Sequence, residues 1–182
     1  MKYTLLLMLL ASFSSIFSQE KEYIVTNSND TIYGEVIRGT NWLNTSKVIF
    51  KIKGEEGKKS KVNPSEVKTI RSIKGLDGDC YITTIYGERF IKRIIEGRIK
   101  VYQLVDGTIF YVSKDDSDIV STDIGWFFAG NKAHSQIRPL LEDNAEILKE
   151  FDTLRGNQKN IMHIIEKYNK AEKKAINGTL DH

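Results

Sequence analysis

The chain has 182 residues, of which 40% are hydrophobic and 28% are charged, and it contains only two prolines. This composition is typical of a folded globular protein and excludes a disordered or collagen-like chain. The formal net charge is only +3, so we expect no nucleic-acid partner, which would need a denser, one-sided basic surface. Cys80 is the single cysteine, so no internal disulfide can form.

Residues 1–18 have the pattern of an export signal peptide. Lys2 precedes an apolar run from Leu5 to Ala11, and small and polar residues follow it up to Ser18. The run is too short to cross a hydrocarbon core of about 30 Å, so we predict no transmembrane anchor after signal cleavage. Cleavage after Ser18 removes one charge, that of Lys2, and leaves a net charge of +2. We expect the mature protein in the periplasm, the outer envelope or the medium.

From residue 19 to residue 123, short β-like runs alternate with turn residues, which is typical of a small antiparallel sandwich or barrel. In one run, Val48, Phe50 and Ile52 alternate with lysines, as a half-buried strand requires. Cys80 falls in another run, and we expect it to be a small buried residue. The predicted strands cover 22–26, 31–38, 46–53, 67–73, 79–86, 89–95, 98–105, 108–113 and 118–121.

The polar cluster from Asn27 to Asp30 separates the first two predicted strands. Asn and Asp favour turns, so we interpret Asp30 as a turn residue rather than a binding or catalytic one. Gly34 predicts a bulge or bend in the second strand. The sequence Asn63-Pro64-Ser65-Glu66 predicts one helical turn before the strand at 67–73. This layout resembles a small SH3-like barrel, which residues 79–121 continue as a β-meander with turns at 86–88, 96–97 and 106–107.

After residue 123, apolar residues recur at helical spacing. A first stripe follows a capping box formed by Asp143 and Glu146 and predicts a helix over 143–154; it consists of Ile147, Leu148, Phe151 and Leu154. A second stripe, behind the stop at Gly156 and a cap at Asn157, predicts a helix to about Lys174; it consists of Ile161, Ile164, Ile165 and Tyr168. A shorter helix is expected near 131–141, broken or restarted at Pro139.

The predicted fold class is therefore α+β. An antiparallel β domain over 19–123 precedes a helical segment over 124–176 that packs on it, and a frayed tail occupies 177–182.

The sequence contains no phosphate-binding glycine loop, no nucleophile elbow, no His-Glu-x-x-His motif and no paired Cys/His spacing. His134 and His163 lie on separate predicted helices, and His182 lies in the tail. We therefore predict no catalytic, cofactor-binding or metal-binding residue, and no cofactor. The acidic pairs at 55–56, 77 and 79, and 115–116 are interpreted as solvated turn residues.

The aromatic cluster Trp126-Phe127-Phe128 lies where the β segment meets the helices. We favour a packed junction, because large aromatic residues at such a point belong mostly to a core. An exposed interaction patch made of Trp126, Phe127 and Phe128 is the alternative.

Several segments spread along the chain resemble segments of a known group of proteins. They are the export signal ending near Gln19, then YIVTNSNDTIYGEV, VIFK, NPSEVKTIRS, RFIKRIIEGRIKVYQLVDGTIFYV, LLEDNAEILKEF and IIEKYNK. By these segments the chain resembles a group of uncharacterised secreted or envelope proteins of Bacteroidota. The resemblance implies a location in the envelope or outside the cell, and it implies no activity or catalytic residue. Members of that group have cysteine in the helical end, whereas this chain has none after Cys80.

Two functions follow as hypotheses. The first is a non-catalytic exported binding module, whose β unit presents an edge or face to an unknown envelope protein or glycan while the helices cover the other side. The alternative is a small-ligand carrier or a glycan hydrolase that uses loop carboxylates. A closed apolar cavity favours a carrier, and two converging carboxyl groups in a deep pocket favour a hydrolase.

Overall fold

The computed structural model describes residues 21–41, 44–75, 78–105, 107–125 and 130–180. The predicted export signal at 1–18 and the cluster Trp126-Phe127-Phe128 lie outside the described residues, so both stay predictions.

Eleven strands form two antiparallel sheets within the described residues, and the helices follow them in the chain. The large sheet has eight strands in the order β11-β10-β9-β8-β7-β6-β1-β2, and the small sheet has the order β3-β4-β5. The strands are β1 (Tyr23–Thr26), β2 (Thr31–Tyr33), β3 (Glu35–Asn41), β4 (Asn44–Lys53), β5 (Lys59–Lys61), β6 (Val67–Ser72), β7 (Cys80–Ile85), β8 (Arg89–Ile95), β9 (Ile99–Leu104), β10 (Phe110–Lys114) and β11 (Val120–Thr122).

The expected SH3-like layout is present in its parts, but the expectation of a barrel is wrong because both sheets stay open among the described residues. The chain bends at Gly34, so that β2 joins the large sheet and β3 the small one. A side chain at Gly34 would meet the carbonyl oxygen of Lys53 at 2.5 Å, which explains the glycine. The predicted helical turn is a 3₁₀ turn at Pro64–Glu66, capped by Asn63. The sheets stay open because β6 pairs with β7 on its second edge, which extends the large sheet into the meander.

The predicted strands are confirmed to within about three residues, as expected for element boundaries. β5 is an exception, because the sequence pattern predicts no strand between residues 53 and 67. Its sequence, Lys59-Ser60-Lys61, is fully exposed, and it pairs only with β4. A strand that buries no side chain leaves no hydrophobic alternation in the sequence.

The helices are α1 (Gly130–Ile137), which continues as a 3₁₀ turn at Arg138–Leu141, α2 (Ala145–Phe151) and α3 (Gln158–Leu180). The restart near Pro139 is confirmed, and Asn157 caps α3 by accepting a hydrogen bond from the Asn160 amide at 2.9 Å. Among the described helices, none combines the length and apolarity that crossing a membrane requires.

Two helix predictions are wrong in detail. Asn144, not Asp143, caps α2, because its side chain accepts a hydrogen bond from the Ile147 amide at 3.1 Å, and α2 ends at Phe151 rather than at residue 154. The tail expected to fray from residue 177 is helical to Leu180. No proline interrupts it, and each added residue of a helix gains one backbone hydrogen bond at little cost.

Both additional layers pack on the same face of the large sheet. Under the helices lies a cluster that includes Ile99, Val101, Phe110 and Val112, together with the fully buried stripe Ile161, Ile164, Ile165 and Tyr168. Under the small sheet lies a second cluster, which includes Phe50, Ile70, Ile82, Phe90 and the buried Cys80. The burial predicted for the helical stripe and for Cys80 is confirmed. The β part is therefore held by apolar packing.

A third cluster lies on the opposite face of the large sheet, because Tyr102 follows Val101 in β9 and adjacent strand residues point to opposite faces. It comprises Ile85, Ile91, Tyr102 and Tyr111, with Leu104, Ile109 and Ile119 at its border. All of these residues belong to β7–β11 and the adjoining loops. No residue of the described helices or of the small sheet belongs to this cluster.

Candidate functional site

A row of tyrosine and arginine side chains crosses this opposite face of the large sheet. Residues that lie directly opposite one another on neighbouring strands point to the same face, so the strand register defines the row. The Ile82–Lys92 pair places Arg93 beside Tyr81, and pairs between the other neighbouring strands supply the remaining positions. In strand order the Tyr–Arg row is Tyr33, Tyr23, Arg71, Tyr81, Arg93, Tyr102 and Tyr111.

Arginines from two strands enclose the ring of Tyr81. The guanidinium carbon of Arg93 on β8 lies 4.6 Å from the ring centroid, and that of Arg71 on β6 lies 5.6 Å from it. Because β7 lies between β6 and β8, the two arginines reach the tyrosine from opposite sides. Cation–π contacts at these distances are attractive, because the face of an aromatic ring carries partial negative charge.

The outer end of the row is aromatic and carries a third cation. Tyr23 and Tyr33 meet edge to face with ring centroids 6.0 Å apart, and the Lys21 ammonium lies 5.7 Å from the Tyr33 centroid. A side-chain hydrogen bond joins Tyr23 to Tyr81, and burial together with Tyr81 raises the pKa of Tyr23. The Tyr23 hydroxyl therefore keeps its proton and can donate a hydrogen bond.

The row can be reached by solvent over only part of its length. Tyr33 is 55% exposed, and the side chains of Arg93 and Arg71 are 25% and 18% exposed. Tyr102 and Tyr111 are buried in the third hydrophobic cluster. The accessible part of the row therefore runs from Tyr33 on β2 to Arg93 on β8.

The arginines of the row already hold carboxylates of the chain itself. Arg71 lies 3.7 Å from Asp79, and Arg93 lies 2.5 Å from Glu96. The side chains of Asp79 and Glu96 are more than half exposed, at 57% and 61%. Each of these two arginines therefore lies beside a carboxylate whose side chain is mainly in solvent.

A second polar cluster joins the sheet to the helices around Arg98. One guanidinium nitrogen lies 2.7 Å from Glu172 and 3.1 Å from Asp143, and the other two each lie 2.9 Å from a carboxylate oxygen of Asp115. The Tyr168 hydroxyl donates to Asp143 at 2.9 Å. Three carboxylates thus converge on one cation at the contact between the β9–β10 region and the helices.

The electrostatics of this cluster are those of a structural contact. Burial raises the pKa of Asp143, but hydrogen bonds from Lys114 and Tyr168 outweigh it, so the net pKa lies below the ordinary value. Hydrogen bonds from Arg98 likewise lower the pKa of Asp115. A glycosidase acid needs a raised pKa so that it holds a proton near neutral pH. Asp143 and Asp115 are therefore arranged as ionised ion-pair partners, and neither is held as the protonated acid that glycoside hydrolysis needs.

The other residues singled out by sequence lie apart from the Tyr–Arg row. Asp30 is exposed in the β1–β2 turn and accepts a hydrogen bond from the Ser28 hydroxyl at 2.7 Å, which confirms its interpretation as a turn residue. His134 stacks on Phe151 with ring centroids 4.0 Å apart, and its Nε2 lies 3.1 Å from the Phe151 carbonyl oxygen. His163 is exposed on α3. In the part of the chain that the structure describes, no three His, Cys, Asp or Glu residues are grouped to hold a metal ion.

Two clefts of about 660 and 600 Å³ lie at the helical end, where Gly130 meets Gly156. The first is lined by polar residues such as Asn131, His134 and Asp152, and the second by Ile124 and Met162 among others. Neither of these two clefts lies inside the β part, where a closed apolar cavity would favour the carrier alternative.

Sequence reasoning missed the Tyr–Arg row because its members come from seven strands and share no motif. A local signal exists, since Tyr23, Arg71, Tyr81 and Tyr102 each adjoin a buried Ile or Val in the chain. That pattern shows that they face away from the core but leaves the strand register open. The chain was compared with protein-family models, with curated proteins and with solved structures, and no match was found.

Proposed function

We propose that the protein is a non-catalytic, exported binding module, and that the accessible part of the Tyr–Arg row binds an envelope glycan or protein. The observation that supports this proposal most directly is the strand register of the large sheet. It aligns five residues across neighbouring strands, namely Tyr33, Tyr23, Arg71, Tyr81 and Arg93. Tyr and Arg dominate the energetics of binding surfaces because each combines a large contact area with hydrogen-bond donors.

The arrangement of layers supports this proposal. The helices and the small sheet both pack on one face of the large sheet, and the Tyr–Arg row lies on the other. The export pattern around Lys2 and Ser18 supports a location where such a face meets envelope components. Asp143 and Asp115 in the Arg98 cluster are engaged with cations and have lowered pKa values, so this cluster does not favour the hydrolase.

The test compares two tyrosine variants that differ in position. Purified protein is immobilised and exposed to envelope extract that has been separated into a glycan and a protein fraction. We expect saturable binding to one fraction, with about tenfold weaker binding or more after Tyr81→Ala, because the variant removes the ring between the two arginines. The control, Tyr86→Ala, removes a tyrosine that is 79% exposed in the β7–β8 turn and lies off the row.

Circular dichroism and thermal melting of both variants show whether each retains the fold. Absence of saturable binding to either fraction contradicts the proposal. Equal binding by folded Tyr81→Ala and Tyr86→Ala contradicts the assignment of the row as the binding surface.

A further inference from the structure

The outer face of the small sheet carries a compact group of lysines. Residues that lie directly opposite one another on neighbouring strands point to the same face, and two such pairs of β4 and β5 consist of lysines only. The pairs are Lys51 with Lys61 and Lys53 with Lys59. Phe50, next to Lys51 in β4, is buried against the large sheet, so the four lysines point away from that sheet. These four residues are named the lysine face.

This arrangement of charge weakens the fold instead of supporting it. The amide of Val62 donates to the Phe50 carbonyl oxygen at 2.8 Å, which defines a hydrogen-bonded pair of the ladder. The next pair, Lys51 with Lys61, is therefore a non-hydrogen-bonded one, in which opposite side chains lie closest. Like charges placed directly opposite one another destabilise a strand pair. Contacts within the fold therefore do not explain the lysine face.

Little negative charge of the chain itself balances this face. Lys53 lies 3.4 Å from Glu35 on β3, and both of these side chains are largely in solvent. Within the described residues, the other three lysines of the face are exposed and form no ion pair. The glutamates at 55 and 56, in the β4–β5 loop, are exposed as well and pair with none of them. Three of the four ammonium groups are therefore available to an external anion.

The composition of the face argues against most macromolecular partners. Within residues 35–39 and 48–61, the outer side of the small sheet has no aromatic residue and no arginine. Protein interfaces are enriched in aromatic residues and arginine and depleted in lysine. Single-stranded nucleic acids are held by stacking of their bases on aromatic rings. Neither kind of partner therefore finds its usual contacts on the lysine face.

A layer of anionic phospholipid headgroups does match these residues. Lysine acts as a compact point charge on a flexible stem, so it attracts phosphate without requiring a fixed geometry. Lipids are mobile within their layer and can gather under each ammonium group. Ile37 and Ile49, which are half-buried on the same side of the sheet, add apolar surface for the boundary between headgroups and acyl chains.

We infer that the lysine face docks on a membrane surface that contains anionic phospholipid. This surface is separate from the Tyr–Arg row, and the inference does not depend on the proposed function. The inner face of the small sheet packs on the large sheet, and the Tyr–Arg row lies on the far side of the large sheet. A protein docked by the lysine face therefore presents the row away from the membrane. The contact is electrostatic and reversible, so salt weakens it.

Cosedimentation with lipid vesicles tests this inference. The purified protein is mixed with vesicles of phosphatidylglycerol and phosphatidylethanolamine, and vesicles of phosphatidylcholine are the neutral comparison. We expect preferential binding to the anionic vesicles, with at least about tenfold weaker binding when salt rises from about 0.05 to about 0.5 M. Each lysine near an anionic surface strengthens binding about fivefold, so the double variant Lys51→Gln with Lys61→Gln should bind about 20-fold more weakly.

The matched control is the double variant Lys149→Gln with Lys159→Gln, which removes the same charge from exposed positions on α2 and α3. Equal losses in the two double variants indicate attraction to net charge only and overturn the inference. Equal binding to anionic and neutral vesicles, or binding to neither, also overturns it. Tighter binding to polyglutamate than to the anionic vesicles overturns it in favour of an acidic protein partner.

Urea unfolding shows whether these lysines serve the fold instead. Because Lys51 and Lys61 repel each other, the double variant that removes both charges should be at least as stable as the wild type. A lower unfolding midpoint assigns the lysines to structure and overturns the inference. The binding of Tyr81→Ala to envelope fractions is measured separately, so failure of vesicle binding leaves the proposed function standing.

Discussion

Replacing Glu22 by glutamine tests how the N-terminal strand is held in the fold. Glu22 is 8% exposed, and its carboxylate accepts four hydrogen bonds. One oxygen accepts from the Ile73 amide at 2.6 Å, the Lys74 amide at 2.9 Å and the Ser72 hydroxyl at 3.2 Å. The other accepts from the Val36 amide at 2.9 Å. One side chain thus joins the start of β1 to β3 and to the end of β6.

The expected loss follows from these contacts. A glutamine can keep its oxygen toward Ile73 and Lys74, but its NH₂ group then faces the N–H of Val36, which loses its acceptor. An unsatisfied buried donor costs about 1 to 3 kcal/mol, and contacts to a charged acceptor are stronger than those to a neutral amide. We therefore expect Glu22→Gln to lower the free energy of unfolding by about 2 to 4 kcal/mol.

Urea unfolding monitored by circular dichroism measures this loss. With a slope of about 2 kcal/mol per M, the midpoint should fall by about 1 to 2 M near neutral pH. The control is Glu55→Gln, which removes an exposed carboxylate in the β4–β5 loop and should shift the midpoint little.

The pH dependence gives a second readout. Burial raises the pKa of Glu22, but the hydrogen bonds from Ile73, Lys74 and Val36 outweigh it, so the folded-state pKa lies below the ordinary value of 4.5. A lowered pKa means that the carboxylate stabilises the fold fully above that ordinary value and loses its effect as the pH falls through the folded-state pKa. The difference between wild type and Glu22→Gln should therefore narrow below about pH 4.5. Equal midpoints at neutral pH, or a difference that does not change with pH, refute the reasoning.

Two further variants test the packing of the helical end. Gly156→Ala should lower the free energy of unfolding by about 2 to 4 kcal/mol, because a Cβ there overlaps the carbonyl oxygen of Gly130. The control is Gly54→Ala, where nothing lies within 4 Å of an added Cβ, and it should change the free energy of unfolding by less than about 0.5 kcal/mol. Thermal melting of both variants measures the difference. Tyr168→Phe should lower the free energy of unfolding by about 1 to 3 kcal/mol, because the hydrogen bond to Asp143 is lost. In a double-mutant cycle with Asp143→Asn, measured by urea unfolding, the two losses of free energy should not add. Strict additivity contradicts the second prediction, and equal melting of the two glycine variants contradicts the first.

Sequence alone determined the strands other than β5, the turns and the buried stripe of α3, because these depend on neighbours in the chain. The alternation of Val48, Phe50 and Ile52 follows from the two-residue period of a strand. The spacing of Ile161 and Ile165 follows from the helical period, and both residues are fully buried. Each of these patterns depends only on residues close in sequence, so it can be recognised without knowing which distant segments pair.

Only the tertiary structure decided whether the β part closes and where its candidate binding surface lies. Closure depends on which strand takes the second edge of β6, and β7 takes it. The register of seven strands aligns Tyr33, Tyr81 and Arg93, although long stretches of chain separate them. A shift of one residue in any strand would turn its member of the row to the other face. Strand pairing between distant segments, which no local pattern encodes, therefore determines the candidate site.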